Sequence, residues 1–330
     1  MIDSNKSVRA LLLLSGGLDS QLAACLMRDQ GIEIQAVVFT SPFFDGVPAL
    51  EAARELEIPI EVVDFTSRMV HALETCPAFD EPSSEICIAC HREMLKCAAE
   101  QMVDFNCQFI VTGEVLNQRI PTQSQQTLDD VDHYAESSGL IVRPLSAQEL
   151  PETLPEKNGW VDRSRLLGLE GPGRKDQISH ADRFHLRDYP EPANPCRLTD
   201  PAFAVRLKDL RAHEGLQGQR SLALLRLGRH FRLGPVTKLI VARDEGENLE
   251  LQGHAELYEL LLQPTQTSGP VGMVPIIATD DQLKAAASVC ARYCNVPDGD
   301  SVAIRIRSSH GAREVDVMPA DQKQIDLIRI

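Results

Sequence analysis

The residues 15–20, Ser15-Gly16-Gly17-Leu18-Asp19-Ser20, follow an apolar run at 11–14 and precede a helical pattern of Leu22, Ala23, Leu26 and Met27. Consecutive glycines let a backbone turn tightly and bring its N–H groups up to a ligand without Cβ clashes. A helix starting at Leu18 directs its positive dipole end into the same space. Ser15 and Ser20 add hydroxyls, and Asp19 adds a carboxylate able to hold Mg²⁺ or a water. The loop is therefore read as a pyrophosphate cradle. It lacks the lysine of G-x-x-x-x-G-K-[ST] and is not G-x-G-x-x-G.

The second set is Cys87-x-x-Cys90 at a helix start, with Cys196 far along the chain in Asn194-Pro195-Cys196-Arg197. Three thiolates do not complete a tetrahedral structural zinc site. His91 is a candidate fourth ligand, but its adjacency to Cys90 strains a shared tetrahedron. Three thiolates can hold a 4Fe–4S cluster with one iron open. A persulfide-carrying or disulfide-forming pair with a low-pKa thiolate is the second reading, and buried structural cysteines are the third. Cys25, Cys97, Cys107, Cys290 and Cys294 fall in helical or strand-edge patterns and are expected to be small core residues.

The elements that position these residues alternate. Apolar runs predict strands at 8–14, 34–39, 60–65, 109–114 and 141–145, and helical patterns fall at 18–30, 47–56, 86–102 and 127–136. Such alternation gives βαβ units and a parallel sheet with helices on both faces. Ligands then sit beyond the carboxyl ends of the strands. The loops after Leu14, Phe39 and Val111 should line one site, which brings Phe39 and Gly113 up to the nucleotide. Residues 77–85 read as a polar loop.

Beyond Pro151 the pattern turns irregular, with Arg163, Arg165, Arg174, Lys175, His180 and Arg183 concentrated in it. Strands are predicted again at 239–243, 274–278, 302–306 and 314–317, the last two forming a hairpin. A helix is predicted over 281–295, begun by Asp280-Asp281. Three regions follow: a nucleotide domain at 1–150, a segment completing the catalytic site at 151–211, and a small α+β domain at 212–330.

Two domains fit a length of 330 residues. No apolar run approaches the about 18 residues that span a membrane. No leader pattern precedes the first strand, so a cytoplasmic protein is expected, with nine cysteines there for metal or redox chemistry rather than disulfides. Net charge is −15, yet residues 206–243 carry nine cations against Asp209 and Glu214, a +7 island that leaves −22 elsewhere. Such an island can hold a phosphate backbone.

The 15–20 loop resembles the PP-loop of the ATP pyrophosphatases, whose fold is the adenine-nucleotide alpha-hydrolase-like parallel sheet. Further pieces extend the likeness: Cys87-x-x-Cys90-His91, Thr112-Gly113-Glu114-Val115-Leu116-x-Gln118-Arg119, Gly159-Trp160-Val161-Asp162-Arg163, and Arg174-Lys175-x-Gln177 before Pro195-Cys196. Together they resemble the tRNA thiolation branch, the 2-thiouridylase and 4-thiouridine synthetase group, over about residues 8–210. Gly228-Arg229-His230-Phe231 and the stretch 238–245 are similar to the RNA-binding domain of NFACT proteins. Neither a THUMP-like domain ahead of the loop nor a rhodanese-like domain after it is expected, so the target nucleotide and the sulfur source stay open.

The resemblance implies cleavage of ATP between the α- and β-phosphates, adenylation of a uridine carbonyl oxygen, and replacement of that oxygen by sulfur. Ser15, Gly16, Gly17, Leu18, Asp19 and Ser20 would hold the pyrophosphate with Mg²⁺, and Phe39 and Gly113 would complete the nucleotide site. Gly113 would admit the base or ribose, and Glu114 or Arg119 would orient it. Cys87, Cys90 and Cys196 would hold the cluster, or carry a persulfide. The expected partners are tRNA, gripped by the +7 island and the 163–183 cations, and sulfide or a persulfide donor; no membrane is expected, and a homodimer is left open. The rival readings are a PP-loop enzyme inserting sulfur or nitrogen into a small molecule, and a non-catalytic ATP-sensing RNA-binding protein.

Overall fold

The computed structural model describes residues 7–76, 84–190, 196–297 and 299–330. It divides into two units, Met1–Asp200 and Pro201–Ile330. The expected boundary at 211/212 thus falls inside the second unit.

In the first unit the chain runs β1 (Arg9–Leu13), α1 (Leu18–Asp29), β2 (Glu33–Thr40), α2 (Val47–Glu55), β3 (Ile60–Asp64), α3 (Thr66–Thr75), α4 (Ser84–Asp104), β4 (Phe109–Val111), α5 (Gln125–Tyr134), β5 (Ile141–Val142), α6 (Leu154–Lys157) and α7 (Lys175–Arg183). The strands form one parallel sheet in the order β3-β2-β1-β4-β5. β1 and β2 are near-continuous apolar runs because a parallel sheet is covered on both faces. Leu12, Leu14, Ile34, Ala36 and Val38 join Leu18, Leu22, Leu26, Ala49 and Ala52 in one core. On the other face α3, α4 and α5 pack in succession, and α4 lies against β1 and β4.

The strand order reverses between β1 and β4, so the loops after these two strands open at the switch point of the sheet. That is where ligands bind in open α/β folds. The predicted loop at 77–85 lies, for 77–83, outside the described residues, as do Asn194 and Pro195.

The irregular stretch after Pro151 is ordered without being regular. Thr153 and Glu156 close a capping box on α6. Val161, Leu166, Ala181 and Leu186 are buried in the same core as α1, with Trp160 packed against it. Arg163 pairs with Glu156 at 2.8 Å, and Arg165 pairs with Asp29 at 2.7 Å. Two of the cations expected to face RNA are therefore spent on structure: Arg165 ties this segment to α1, and Arg163 closes a pair within it.

The second unit contains α8 (Pro201–His213), α9 (Gln219–Leu224), β6 (Arg229–Gly234), β7 (Thr237–Val241), α10 (Glu245–Gly253), β8 (Glu259–Pro264), β9 (Gly272–Pro275), α11 (Asp280–Arg292), β10 (Val302–Ser308), β11 (Gly311–Val317) and α12 (Gln322–Ile328). Its antiparallel sheet runs β11-β10-β8-β9-β7-β6. The expected hairpin pairs Ser308 with Gly311 and Val302 with Val317. α11 buries Leu283, Ala286, Ala287 and Cys290 with Phe231, Leu239, Leu262 and Ile304. Its cap is Thr279, whose side chain takes the Gln282 N–H while Gln282 reaches back, so Asp280 and Asp281 supply first-turn charge rather than the cap. Among the described residues no helix is long and apolar enough to cross a membrane.

Candidate active site

The 15–20 loop bridges β1 and α1 as the glycine pair requires. Gly16 has φ +80, and a Cβ there would meet the Pro48 carbonyl at 2.3–2.4 Å, so the loop is seated on the start of α2. Gly17 is the N-cap of α1 and no side chain caps the helix, which leaves the first-turn N–H groups open to an anion. The hydroxyls turn inward: Ser20 Oγ donates to Gly17 O at 2.9 Å and lies 3.1 Å from Ser15 Oγ, which accepts the Gly17 N–H at 3.3 Å. They shape the cradle.

Gln21, which the sequence reading passed over, is 1% exposed on the apolar stripe of α1. Its Nε2 donates to Gly16 O at 2.8 Å and to Asp188 O at 3.1 Å, tying the segment after α7 to the loop. An amide on the stripe of Leu18 and Leu22 was the available signal.

Asp19 is the charged residue of the cradle. Gln118 Nε2 donates to its Oδ2 at 3.2 Å, while Oδ1 is buried with no partner. Burial raises its pKa from the usual 3.8, and this outweighs the Gln118 hydrogen bond and the charges of Arg174 and Arg119. A buried carboxylate oxygen without a donor, beside an uncapped helix start, has the chemistry of a Mg²⁺–phosphate site.

Gly113 lies at the end of β4 against α1. A Cβ on it would stand 2.5 Å from Ser20 N and 2.6 Å from Asp19 C. The glycine lets the end of β4 press directly on the first turn of α1. Phe39 is buried with its ring centroid 5.1 Å from that of Phe65. Glu114, expected to orient a substrate, is committed to the interior. It accepts from Thr112 Oγ1 at 3.0 Å and Arg143 Nε at 2.9 Å, with His91 Nδ1 at 3.5 Å. Arg143 also makes a two-point contact with Asp132 at 2.6–2.8 Å. One guanidinium cannot fully serve two buried carboxylates: Glu114, helped by His91, is held well below the usual range, whereas Asp132 is raised.

Cys87 and Cys90 lie in the first two turns of α4, and Cys196 precedes a short 3₁₀ turn at Arg197–Thr199. The three are coupled electrostatically: a charge on Cys87 or Cys196 raises the Cys90 pKa, and Cys87 also raises that of Cys196. Burial is the largest cause at each and pushes all three thiols up. His91 turns its Nδ1 to Glu114 at 3.5 Å. Among the described residues no three His, Cys, Asp or Glu side chains surround a single-ion position. Cys25 and Cys107 are pushed up to about 11 by burial, as for small core residues.

Arg119, exposed at the end of the β4 loop, connects the two sets. Asp19 and Cys87 are both raised by burial, and the charge of Arg119 opposes the rise at each.

Residues 5–150 match the family described as thiamine biosynthesis protein (ThiI). The first unit carries a ThiI-type domain. Residues 228–327 match the NFACT protein RNA binding domain, so the second unit carries an NFACT-type domain. The chain is 30% identical over 173 residues to a Bacillus pumilus protein named "Probable tRNA sulfurtransferase", covering 49% of this chain and 39% of that one. A protein of the same name from Brevibacillus brevis is 28% identical over 227 residues, covering 64% and 50%. The chain thus spans half or less of these relatives. A 4-thiouridine synthetase–RNA complex with bound ATP overlaps 38% of the chain and 34% of its own, at 23% identity and TM-score 0.34.

The NFACT-type domain spends much of the basic island internally. Arg232 pairs with Asp209, and Lys238, whose side chain is 11% exposed, lies 3.9 Å from the same carboxylate. Arg220 binds Glu259 at 2.5 Å, Arg243 binds Glu247, and Arg229 stacks over Tyr293. The +7 count omits Glu247 and Glu259, which lie just past its end. Lys208 and Arg211 of α8 are exposed.

Proposed function

We propose that the chain is an ATP-dependent tRNA sulfurtransferase. The observation that carries this is the glycine loop at the start of α1, which has no side-chain cap and holds Asp19 Oδ1 buried without a partner among the described residues. An adenylating loop and a sulfur-bearing set of thiols must serve the same carbon, and the charge of Arg119 acts on both Asp19 and Cys87. The sequence likeness of the ThiI-type domain to tRNA sulfurtransferases supports the reading.

In the first step a uridine carbonyl oxygen attacks the α-phosphorus of ATP. The new P–O bond forms as the α–β bridge breaks and pyrophosphate leaves. The uncapped N–H groups of α1 take the charge building on the pyrophosphate, and each such preorganised donor is worth roughly 3 kcal/mol. Asp19 Oδ1 would hold Mg²⁺ against the phosphates, and Gln118 fixes the carboxylate through Oδ2. In the second step a sulfur nucleophile bonds to the activated carbon and AMP departs with the former carbonyl oxygen.

Three thiols fit a 4Fe–4S cluster with one iron open. Cys87, Cys90 and Cys196 would hold it, and when bound it supplies an open iron able to hold hydrosulfide. Cys90 is buried and Cys87 and Cys196 are half-buried, and the charge of Arg119 offsets negative charge at Cys87. The NFACT-type domain would bind the RNA backbone, and a reducing cytoplasm suits nine cysteines without a disulfide.

Pyrophosphate release from ATP is the test. The proposal expects release only when unmodified tRNA is added. Release on a small-molecule acceptor with RNA inert, or no release under any condition, would contradict it.

A further inference from the structure

The loop after β4 carries an exposed apolar tip beside the cradle. Gln118 anchors it there, since its Nε2 donates to Asp19 Oδ2 at 3.2 Å. Further along, Ile120 is 73% exposed, and its neighbours Arg119 and Pro121 are exposed as well. Successive Cα atoms are about 3.8 Å apart, so the Ile120 Cα stands no more than about 7.6 Å from that of Gln118. The tip is also held firmly. Asn117 N–H donates to Gln123 O at 2.8 Å and Gln123 N–H to Arg119 O at 2.9 Å, closing the loop on itself. The Thr122 hydroxyl donates to Arg119 O and the Thr127 hydroxyl to Pro121 O, each at 2.8 Å. Asn117 Nδ2 donates to Glu170 Oε1 at 2.8 Å. These bonds hold an isoleucine out in water, where it contributes little to the fold.

A uridine stacked in a folded RNA cannot bring its carbonyl oxygen to the α-phosphorus of an ATP in the cradle, so the base must leave the stack. The gap it leaves closes again unless something fills it, and compact apolar side chains such as Ile and Pro fill such gaps where proteins unstack bases. The filler has to act close to the cradle, because the extruded base stays joined to its neighbours. A firmly held apolar tip anchored at Asp19 through Gln118 meets that requirement. The exposed guanidinium of Arg119 suits the phosphates that flank the gap. We infer that Ile120, with Pro121, is a wedge that enters the RNA stack where the target uridine has left it and keeps the base in the site. The inference rests on the proposed tRNA chemistry and assigns how the RNA is opened.

The test reads adenylation alone, as single-turnover pyrophosphate release from Mg-ATP by the full chain, so sulfur transfer does not enter. The uridine that the wild type adenylates or thiolates is first mapped by mass spectrometry of the digested tRNA. Two RNAs are then compared: the native tRNA, and the same tRNA with abasic sites flanking that uridine, which removes the stacking that extrusion must break. Ile120→Ala should release pyrophosphate roughly ten-fold or more slowly on native tRNA, the loss of an apolar group buried only in the complex. On the abasic RNA it should come within about two-fold of the wild type, because extrusion there meets little resistance. Ile120→Leu should keep most of the native rate, since it keeps the apolar volume. Mg-ATP affinity by calorimetry and the melting temperature should match the wild type in both variants, as for a surface substitution. A variant as fast as the wild type on native tRNA, equally slow on both RNAs, or weakened in Mg-ATP binding would overturn the wedge alone. So would a wild type slowed roughly ten-fold or more on the abasic RNA, because easier extrusion should not slow it. A wild type that modifies no uridine would overturn the tRNA reading and this inference with it.

Discussion

Replacing Asp19 with Asn separates stability from function at the centre of the site. Burial raises the Asp19 pKa despite three opposing influences, so the ionised carboxylate is a net cost to the unliganded fold. Asn keeps an oxygen for Gln118 and removes the charge. Removing the charge relieves the desolvation cost that raises the pKa, so the unliganded variant should melt above the wild type. The sign follows from linkage. With a folded pKa above the unfolded value, the cost is absent below the unfolded pKa and complete once pH has risen past the folded one. The variant should therefore melt higher at pH 7–8, and the gap should close as pH falls through the raised pKa. Ligand reverses the order. At a hundred times Kd, Mg-ATP stabilises the wild type by about 2.7 kcal/mol, and the variant should gain far less, with pyrophosphate release slower by about 10²–10³-fold. Differential scanning fluorimetry with and without Mg-ATP reads both effects. An unliganded variant that melts below the wild type and is stabilised equally by Mg-ATP would refute the assignment of Asp19 as a charge held for a cation.

Gly113→Ala should displace the first turn of α1, because the new Cβ would meet Ser20 N at 2.5 Å; overpacking of this kind costs about 1–3 kcal/mol, and ATP affinity should fall with the melting temperature, whereas a loss confined to RNA binding would favour the base-contact role. Glu114→Gln should cost about 1–3 kcal/mol at pH 7 by weakening the buried Arg143 network, with Asp132 still paired. The depressed Glu114 contributes stability above its unfolded pKa and loses it as pH falls, so the acid-side drop in wild-type melting temperature should be shallower in the variant. Chains purified without oxygen should carry about four irons with matching sulfide, the content of one 4Fe–4S centre, and Cys196→Ala should lose them; zinc, or no metal, would make the thiols structural or persulfide-bearing.

The chemistry-bearing motifs were legible because each is local. Glycines at a strand–helix junction and two cysteines a turn apart announce backbone geometry within six residues. The sheet was legible for the same reason, since its buried strands are continuous apolar runs. What the sequence hid was long-range pairing. Gln118 meets Asp19 across 99 positions, and Arg220 meets Glu259 across 39. No local pattern tells a cation facing RNA from one facing a carboxylate, so Arg163, Arg165, Arg232 and Lys238 were counted as basic surface although each is paired. The close packing of Gly113 on α1 was also hidden, because a glycine at a strand end looks the same whether a ligand or a helix takes up the missing Cβ space. The cap of α11 was misplaced by one residue because Thr279 is followed by two aspartates that resemble caps themselves.

The account stands on one claim, that loop and thiols act on the same uridine carbon. Its direct test is to incubate the full chain, loaded anaerobically with iron and sulfide, with Mg-ATP, hydrosulfide and unmodified tRNA, then digest the RNA and look for thiouridine by mass spectrometry. The account predicts thiouridine that requires ATP and is lost in both Asp19→Asn and Cys196→Ala. Thiouridine formed equally by the Cys196→Ala chain, or adenylated RNA that never acquires sulfur in the wild type, would contradict it.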